Sequence, residues 1–379
     1  MIRKGWKRLQ LPKSELSKVY THQIIQAIAI SMVAIFIPIY LLQLGLSLQN
    51  VFIFLFVQLT SFAISCFIVA KIITKFGIKK ALLIRVPMYI IALVFLILIK
   101  SNPTLLKINL ALAILIGFVD SLYLLSLSVL FSELITDKKS GSETGKYLSL
   151  PQLGSIAGPI IGALLAIYIG FTHLFIIVGL ILLVSLIPVI KIKQELAEKE
   201  FFPKNIIQLY LSHKKLSFQM ILYGILGTAY WTLLPIMIYL SKDILSLGII
   251  WTIILFLEAI IIFVLGKFSD NINRLKAIKI SAIIGTVFLI ITSFLLKSQI
   301  LLYFALAKSI VFSIILVPME ATIYQKANES KKAISFIILR EVCIWIGRVI
   351  WFVPVIILAS KHEIGFYMSA LGSLLMALI

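Results

Sequence analysis

The chain has 379 residues, of which 61% are hydrophobic and only 13% charged, and its mean hydropathy is +1.12. A soluble core inside a polar shell does not reach such values, so lipid is the solvent for most of the chain. The net charge of +20 raises nucleic acid as a partner, but the basic residues fall in alternate loops and mark membrane topology instead.

A spanning helix needs about 20 mostly apolar residues, because the hydrocarbon is about 30 Å thick and each residue rises about 1.5 Å. Taken in chain order, such runs cover 19–44, 51–73, 81–99, 105–131, 147–169 and 173–192, then 219–240, 247–267, 277–296, 301–323, 334–359 and 364–379. They are too long and too continuously apolar for the alternating ~10-residue strands of a membrane barrel. The expected fold is an all-α integral membrane protein with twelve transmembrane helices. The basic start lacks a small-residue cleavage site before a run too long for a signal peptide, so the first span is expected to be retained. Cys66 and Cys343 lie inside apolar runs and read as small core residues.

Of the 35 lysines and arginines, about 27 lie in the amino-terminal segment and the even-to-odd loops, the loop counted from Lys71 to Arg85 among them. The opposite side holds Lys100, Lys107, Lys242, Lys297 and Lys361, which orients both termini toward the cytoplasm of a cell membrane. The longest polar stretch divides the spans six and six: residues 1–190 form an amino-terminal bundle, 191–217 a cytoplasmic linker with a short interfacial helix over 205–211, and 218–379 a carboxyl-terminal bundle.

An internal repeat supports the division. The loop after the second span, 70–80, carries Lys75, Gly77, Lys79 and Lys80; the loop after the eighth, 266–276, carries Gly266, Asp270, Arg274 and Lys276 in the same frame. At these residues the chain resembles the major facilitator superfamily, whose loop between spans two and three has a glycine, an aspartate four residues on, then basic residues and a second glycine. The second copy keeps Gly266 and Asp270, whereas the first has Ala70 and Thr74 in those places. The resemblance covers the whole chain and implies two six-helix bundles rocking about a midplane site. In these loops a small residue permits close helix approach and the carboxylate can latch the cytoplasmic mouth; the plainer reading is a basic turn required only for topology. Span five carries Gly154, Gly158, Pro159 and Gly162, similar to a signature of exporters in this superfamily, notably drug/proton antiporters, although glycine rows also serve plain helix packing.

Charges inside spans cost ~2.5 to 3.5 kcal/mol or more, so each invites a functional role. Asp120, Glu258 and Arg348 are expected at one depth, with Lys308 nearer the outer end, converging on a central cavity for a substrate or proton. Gln23, Gln26, Tyr230 and Trp231 are further cavity-lining candidates, with packing as their plainer role; His22, near the cytoplasmic end, is expected to snorkel. Arg340, Glu341 and Glu320 suit an ion-pair network fixing helix register. Glu341 and Arg348 share a face but lie ~10 Å apart, so each is expected to need a partner on another helix. Asp120 has no intramembrane basic partner in its own half by this count, which makes it the favoured proton-coupling residue. The arginine that many proton-coupled members carry in span four is replaced by Ala113, if Gly117 is the glycine that follows it.

No nucleotide loop, zinc spacing or nucleophile triad is present, so neither an enzyme nor a cofactor is expected. The sequence points to a monomeric secondary transporter, energised by an ion gradient and exporting a small amphipathic molecule in exchange for protons. A lipid or lipid-linked-intermediate flippase, an importer of a charged metabolite, or a non-transporting membrane sensor or assembly protein stand as alternatives.

Overall fold

The computed structural model describes residues 13–101, 106–134, 140–192, 206–268, 273–295, 301–330, 332–359, 361 and 363–379. Twelve long helical segments follow one another among them. They are α1 (Ser17–Gln43), α2 (Leu48–Phe76), α3 (Ile78–Leu98), α4 (Leu106–Leu134), α5 (Thr144–Tyr168), α6 (Gly170–Ile190), α7 (Lys214–Ser241), α8 (Ile244–Phe268), α9 (Arg274–Phe294), α10 (Leu301–Ser330), α11 (Ala333–Ile357) and α12 (Glu363–Leu378). Ten contain stretches long and apolar enough to cross a membrane; α11 carries Arg340, Glu341 and Arg348, and α12 has only 16 residues. A short helix, Ile206–Ser212, precedes α7 where an interfacial helix is expected.

The side chains are arranged for hydrocarbon outside. On α6, Ile176, Leu180, Leu183, Val184, Ile187 and Ile190 are exposed, and on α9 Ile280, Ile283, Ile284, Val287 and Ile290, at spacings that keep each set on one helix face. Hydroxyls take the inside, as Ser121, Ser126, Ser128 and Ser132 do in α4. Water would penalise so large an apolar surface, whereas lipid accepts it.

Each half repeats the same packing. In the first, α1 lies against α5 and α6, α2 along α4, and α3 against α4 and α6; in the second, α7 lies against α11 and α12, α8 along α10, and α9 against α10 and α12. The bundles meet chiefly along α5 with α8 and α2 with α11. The repeat holds in local detail too: Gly77 and Asn273, which share a register position in the two loops, are the residues immediately before α3 and α9. Gly77 makes the turn with φ of 84°, a conformation in which a Cβ is strained, and Asn273 caps α9 by accepting from the Lys276 N–H at 3.0 Å.

Three helices of the interior are interrupted. In α1, helix gives way after Ser31 to a 3₁₀ turn at Ala34–Phe36. In α5, Pro159 opens a second segment, Gly158–Tyr168, and the Ile160 N–H left without a helical acceptor donates instead to Thr252 Oγ1 of α8 at 3.2 Å. In α7, a π turn over Ala229–Leu233 precedes Pro235.

Glycines set the closest helix approaches. A Cβ on Gly347 of α11 would collide with the Ile221 carbonyl of α7, and one on Gly224 of α7 with the Ile344 carbonyl of α11. Gly347→Ala is therefore expected to destabilise the protein by roughly 1–3 kcal/mol, as overpacking does, read as a lowered melting temperature in detergent. Gly179→Ala, whose nearest neighbours would be 3.9 Å away, should leave it almost unchanged.

Candidate functional site

Polar groups gather at three places where lipid cannot reach them. The first is at the end of the molecule where α4 finishes and α11 begins. Arg340, 6% exposed, donates through Nη1 to Glu320 Oε2 of α10 at 2.7 Å, and through Nε and Nη2 to Glu341 Oε1 at 2.9 and 2.5 Å. Its remaining N–H groups reach Tyr324 Oη at 3.1 Å and, across the bundle boundary, Ser128 Oγ of α4 at 3.3 Å. Above this knot Phe131 of α4 stacks on Tyr147 of α5 at 3.8 Å, and both meet Tyr324 of α10 edge-on, so aromatic rings from both bundles close this end.

Glu341 thus takes its neighbour in the sequence rather than a residue of another helix. Adjacent helical positions do not normally face each other, but the long arginine side chain folds back over the next residue while its other edge reaches Glu320. Arg348, half-buried two turns along α11, lies within electrostatic reach of Glu341 and of Tyr223 of α7. Two arginines therefore stand against two carboxylates.

The second cluster lies inside the amino-terminal bundle around Asp120, which is half-buried and accepts from Gln58 Nε2 of α2 at 3.4 Å. Its electrostatic neighbour is Arg85 of α3. Grouped with the loop by its place in the sequence, Arg85 is in fact 1% exposed, its guanidinium 4.6 Å from the Tyr89 ring centre and 5.0 Å from that of Tyr123. Asp120 thus has a basic residue within electrostatic reach in its own half. The helix period explains the placement: Arg85 continues the buried stripe of Ile78, Ala81, Leu82, Tyr89, Ala92 and Leu96. His22 does not snorkel either. Fully buried by the packing of α1 on α6, it donates from Nδ1 to the Ser185 carbonyl at 2.7 Å, with Gln23 and Gln26 buried beside it on α1.

The third cluster joins α5 to α8. Gln152 Nε2 donates to Glu258 Oε2 at 3.0 Å. Tyr230, in the π turn of α7, is buried within electrostatic reach of Glu258 and edge-on to Phe312, whereas Trp231 is 46% exposed although α7 is the most enclosed of the apolar spans. Along the same interface, Gly145 packs on Gly266 toward one end and Gly248 on Pro159 and Ala163 toward the other. Asp120 lies apart from the other two inside the amino-terminal bundle, whereas Glu258 and Arg348 both lie within electrostatic reach of Tyr223; the side chain of Lys308 and all of Asp270 lie outside the described residues.

At the opposite end the bundles touch through Gln43 Nε2 with Tyr239 Oη at 3.5 Å, Gln49 Nε2 with the Ile356 carbonyl at 3.1 Å, and the rings of Phe56 and Phe352. Between the two ends Trp345 Nε1 donates to Thr60 Oγ1 at 3.1 Å. The bundles are in contact at both ends.

Residues 103–352 match the family model described as Major Facilitator Superfamily, well over half of the chain. The chain belongs to the major facilitator superfamily. Solved structures of low identity share its fold. The human organic anion transporter MFSD10 is 13% identical, with 97% of this chain and 99% of that one covered and a TM-score of 0.67. A bacterial homologue of the iron transporter ferroportin in an outward-facing state is 12% identical, with 97% and 98% covered and a TM-score of 0.72. The E. coli fucose:proton symporter FucP is 12% identical, with 97% and 98% covered and a TM-score of 0.67. No curated protein matches the chain. As a superfamily member the protein is a multi-pass membrane transporter for small molecules rather than an enzyme.

In this superfamily setting the motif residues have definite places. The α5 glycines face α1: a Cβ on Gly154 would lie 2.9 Å from the Ile24 carbonyl, and Cβ atoms on Gly158 and Gly162 would collide with Ser31 and the Met32 carbonyl. In the first loop Lys75 is exposed over the Phe76 ring, Thr74 donates to the Ala70 carbonyl of its own helix, and Lys79 donates to the Ile190 carbonyl at the end of α6. In the second, Arg274 donates to Gln325 of α10 at 3.1 Å. Each of these hydrogen bonds stays within its own bundle.

Removing Arg340 would leave Glu320 and Glu341 buried without their cation, a change that typically costs about 3–5 kcal/mol. Arg340→Gln is thus expected to lower the melting temperature beyond Ser128→Ala, which removes two hydrogen bonds, to Arg340 and Tyr324, of about 1 kcal/mol each. Thermal unfolding of the two purified variants in detergent checks the order, and equal losses would sink the ion-pair account.

Proposed function

We propose that this protein is a secondary active transporter working by alternating access, exporting a small amphipathic molecule in exchange for protons. Residues 1–190 and 218–379 act as the two rocking bodies, joined by 191–217, in a cell membrane with both termini cytoplasmic. The observation that supports this best is the half-buried Asp120 at mid-span, hydrogen-bonded by Gln58 and close to one guanidinium. A carboxylate so placed exchanges a proton at modest cost, because either ionic form finds a neighbour, donor or acceptor. Glu258, Arg348, Lys308, Gln23, Gln26, Tyr230 and Trp231 supply the remaining cargo contacts in this reading.

The contacts between bundles suit the same mechanism. At the end bearing Ser128, Tyr147 and Tyr324, and at the end bearing Gln43, Gln49 and Phe56, they are hydrogen bonds and ring contacts that can open at either end in turn. Gly77, Gly266, Asp270 and Arg274 act in this reading at the cytoplasmic rim of the gate, and the α5 glycines allow α5 to slide on α1. The protein works as a monomer, since one chain supplies both bundles.

Purified protein in proteoliposomes is expected to move protons when ethidium, chloramphenicol or fluorescein is added, as cationic, neutral and anionic probes. Asp120→Asn should abolish the response to whichever probe acts. Equal silence of wild type and variant with all three would overturn proton-coupled export and favour flipping of labelled lipid as the next activity to measure. Separately, a Ser128→Cys/Tyr324→Cys pair closed by oxidation is expected to stop transport and recover on reduction; undiminished transport in the cross-linked protein would exclude opening at that end.

A further inference from the structure

We propose that the outer groove between α1 and α6 is a binding site for an anionic phospholipid of the surrounding leaflet, its headgroup phosphate held by Lys18 and Lys191. The site is independent of the cargo and of the charges buried in the interior.

The two helices pack together with the start of α1 beside the end of α6. On α1, Lys18, Thr21 and Ile25 are spaced by three and four residues and share one face. At the end of α6, Val184, Ile187 and Lys191 are spaced in the same way. These two faces line a cavity of about 370 Å³, a size within the ~300–1,000 Å³ of small-ligand sites. Each face runs from a lysine at the rim to a branched apolar side chain about 10 Å further along the helix. The groove is thus charged at one end and apolar at the other, the polarity of a phospholipid standing along the membrane normal. It opens outward, since Val184 and Ile187 are exposed members of the α6 stripe turned toward hydrocarbon. An occupant therefore enters from the bilayer rather than from the interior of the bundle.

The rim is built for an anion. Lys18 Nζ donates to the Lys191 carbonyl at 2.8 Å, which fixes its ammonium at the seam between the helices. An ammonium has three donors, so this bond does not exhaust it. The carbonyls that end a helix carry partial negative charge and by themselves repel a phosphate. Here lysines cover them: besides Lys18, Lys79 of α3 donates to the Ile190 and Ile192 carbonyls at 3.1 and 2.5 Å. The residues lining the groove include two lysines and no carboxylate, and Ser17 and Thr21 add hydroxyls within a turn of Lys18. In the proposed topology this end faces the cytoplasm, where the leaflet is negatively charged and basic pockets between spanning helices take anionic headgroups. A lipid seated there ties α1 to α6 from outside and stiffens the amino-terminal bundle.

Delipidated protein in detergent, titrated with dioleoylphosphatidylglycerol and followed by native mass spectrometry and thermal unfolding, tests the site. Wild type is expected to retain this lipid about tenfold or more tightly than dioleoylphosphatidylcholine and to melt at a higher temperature with it. Equal retention of the two lipids overturns the site, and inorganic phosphate that stabilises the protein as much as phosphatidylglycerol does overturns a lipid occupant. Lys18→Gln/Lys191→Gln should weaken retention about tenfold or more. Lys214→Gln/Lys215→Gln, which removes the same charge at the equivalent start of α7, should leave it unchanged; equal losses from the two pairs would mean diffuse attraction and overturn the groove. Thr21→Trp keeps both lysines but fills the groove, and is expected to weaken retention to a similar degree, whereas undiminished retention sinks the proposal. If the double lysine variant gives no folded protein, Lys191→Gln, which leaves the Lys18 bond to the backbone in place, is read instead. Its expected loss is about fivefold, and wild-type retention in it overturns the site.

Discussion

Lipid offers no counter-ion to a charge, and this constraint orders the interior of the protein. Among the described residues, the charged side chains set furthest from the helix ends and buried or half-buried include Arg85, Asp120, Glu258, Glu320, Arg340, Glu341 and Arg348. Their partnerships are of two kinds. The ion pairs of Arg340 with Glu320 and Glu341 stay within the second bundle, and in the first Arg85 lies within electrostatic reach of Asp120. The hydrogen bonds described across the boundary have at most one charged partner, as Ser128 with Arg340, Gln152 with Glu258, and Thr60 with Trp345 do. Since breaking a buried ion pair costs several times more than breaking a single hydrogen bond, each bundle is held as a body while the boundary between them can be remade.

Helix packing follows the same division. Apolar side chains gain little by leaving lipid for protein, so close association depends on contact between backbones. The glycines of α5 against α1, and Gly224 and Gly347 between α7 and α11, lie at equivalent helix pairs of the two repeats and bind helices within a bundle. Gly145 with Gly266, and Gly248 with Ala163, use the same means along α5 and α8 but at the boundary. There the close approach is joined by two side-chain hydrogen bonds, Gln152 with Glu258 and the Ile160 N–H with Thr252.

Apolar run length is enough to read the twelve helices, because a continuous run of about 20 residues has few other solutions in lipid. The paired loops are legible for a similar reason: Gly77 and Asn273 each end a turn that the chain needs at the same point of a repeated unit. The ion-pair character of Arg340 and Glu320 can also be read from their cost. What misleads is the assumption that a basic residue near the start of a run belongs to the loop. Arg85 and His22 both sit within a few residues of a polar segment, and only the pattern of buried positions around them, which depends on neighbouring helices, distinguishes an inward side chain from a snorkelling one. The partner of Glu341 escapes the sequence because helix geometry describes Cβ directions, whereas an arginine guanidinium is far enough from its Cβ to reach the adjacent residue. Tyr223, half-buried among Glu258, Glu320 and Arg348, carries no sequence signal beyond being aromatic in an apolar run.

The magnitudes are mutually consistent with a switch. Moving a two-state protein from about 1:99 to 99:1 requires a differential of about 5.5 kcal/mol. The boundary hydrogen bonds at either end, each worth about 0.5–1.5 kcal/mol net, nearly cancel when one end opens as the other closes, so neither end dominates. Breaking the buried network of Arg340 with Glu320 and Glu341 would cost about 3–5 kcal/mol with no such offset. The contacts of Arg340 with Glu320 and Glu341, which lie within one bundle, are independent of such an exchange at the boundary.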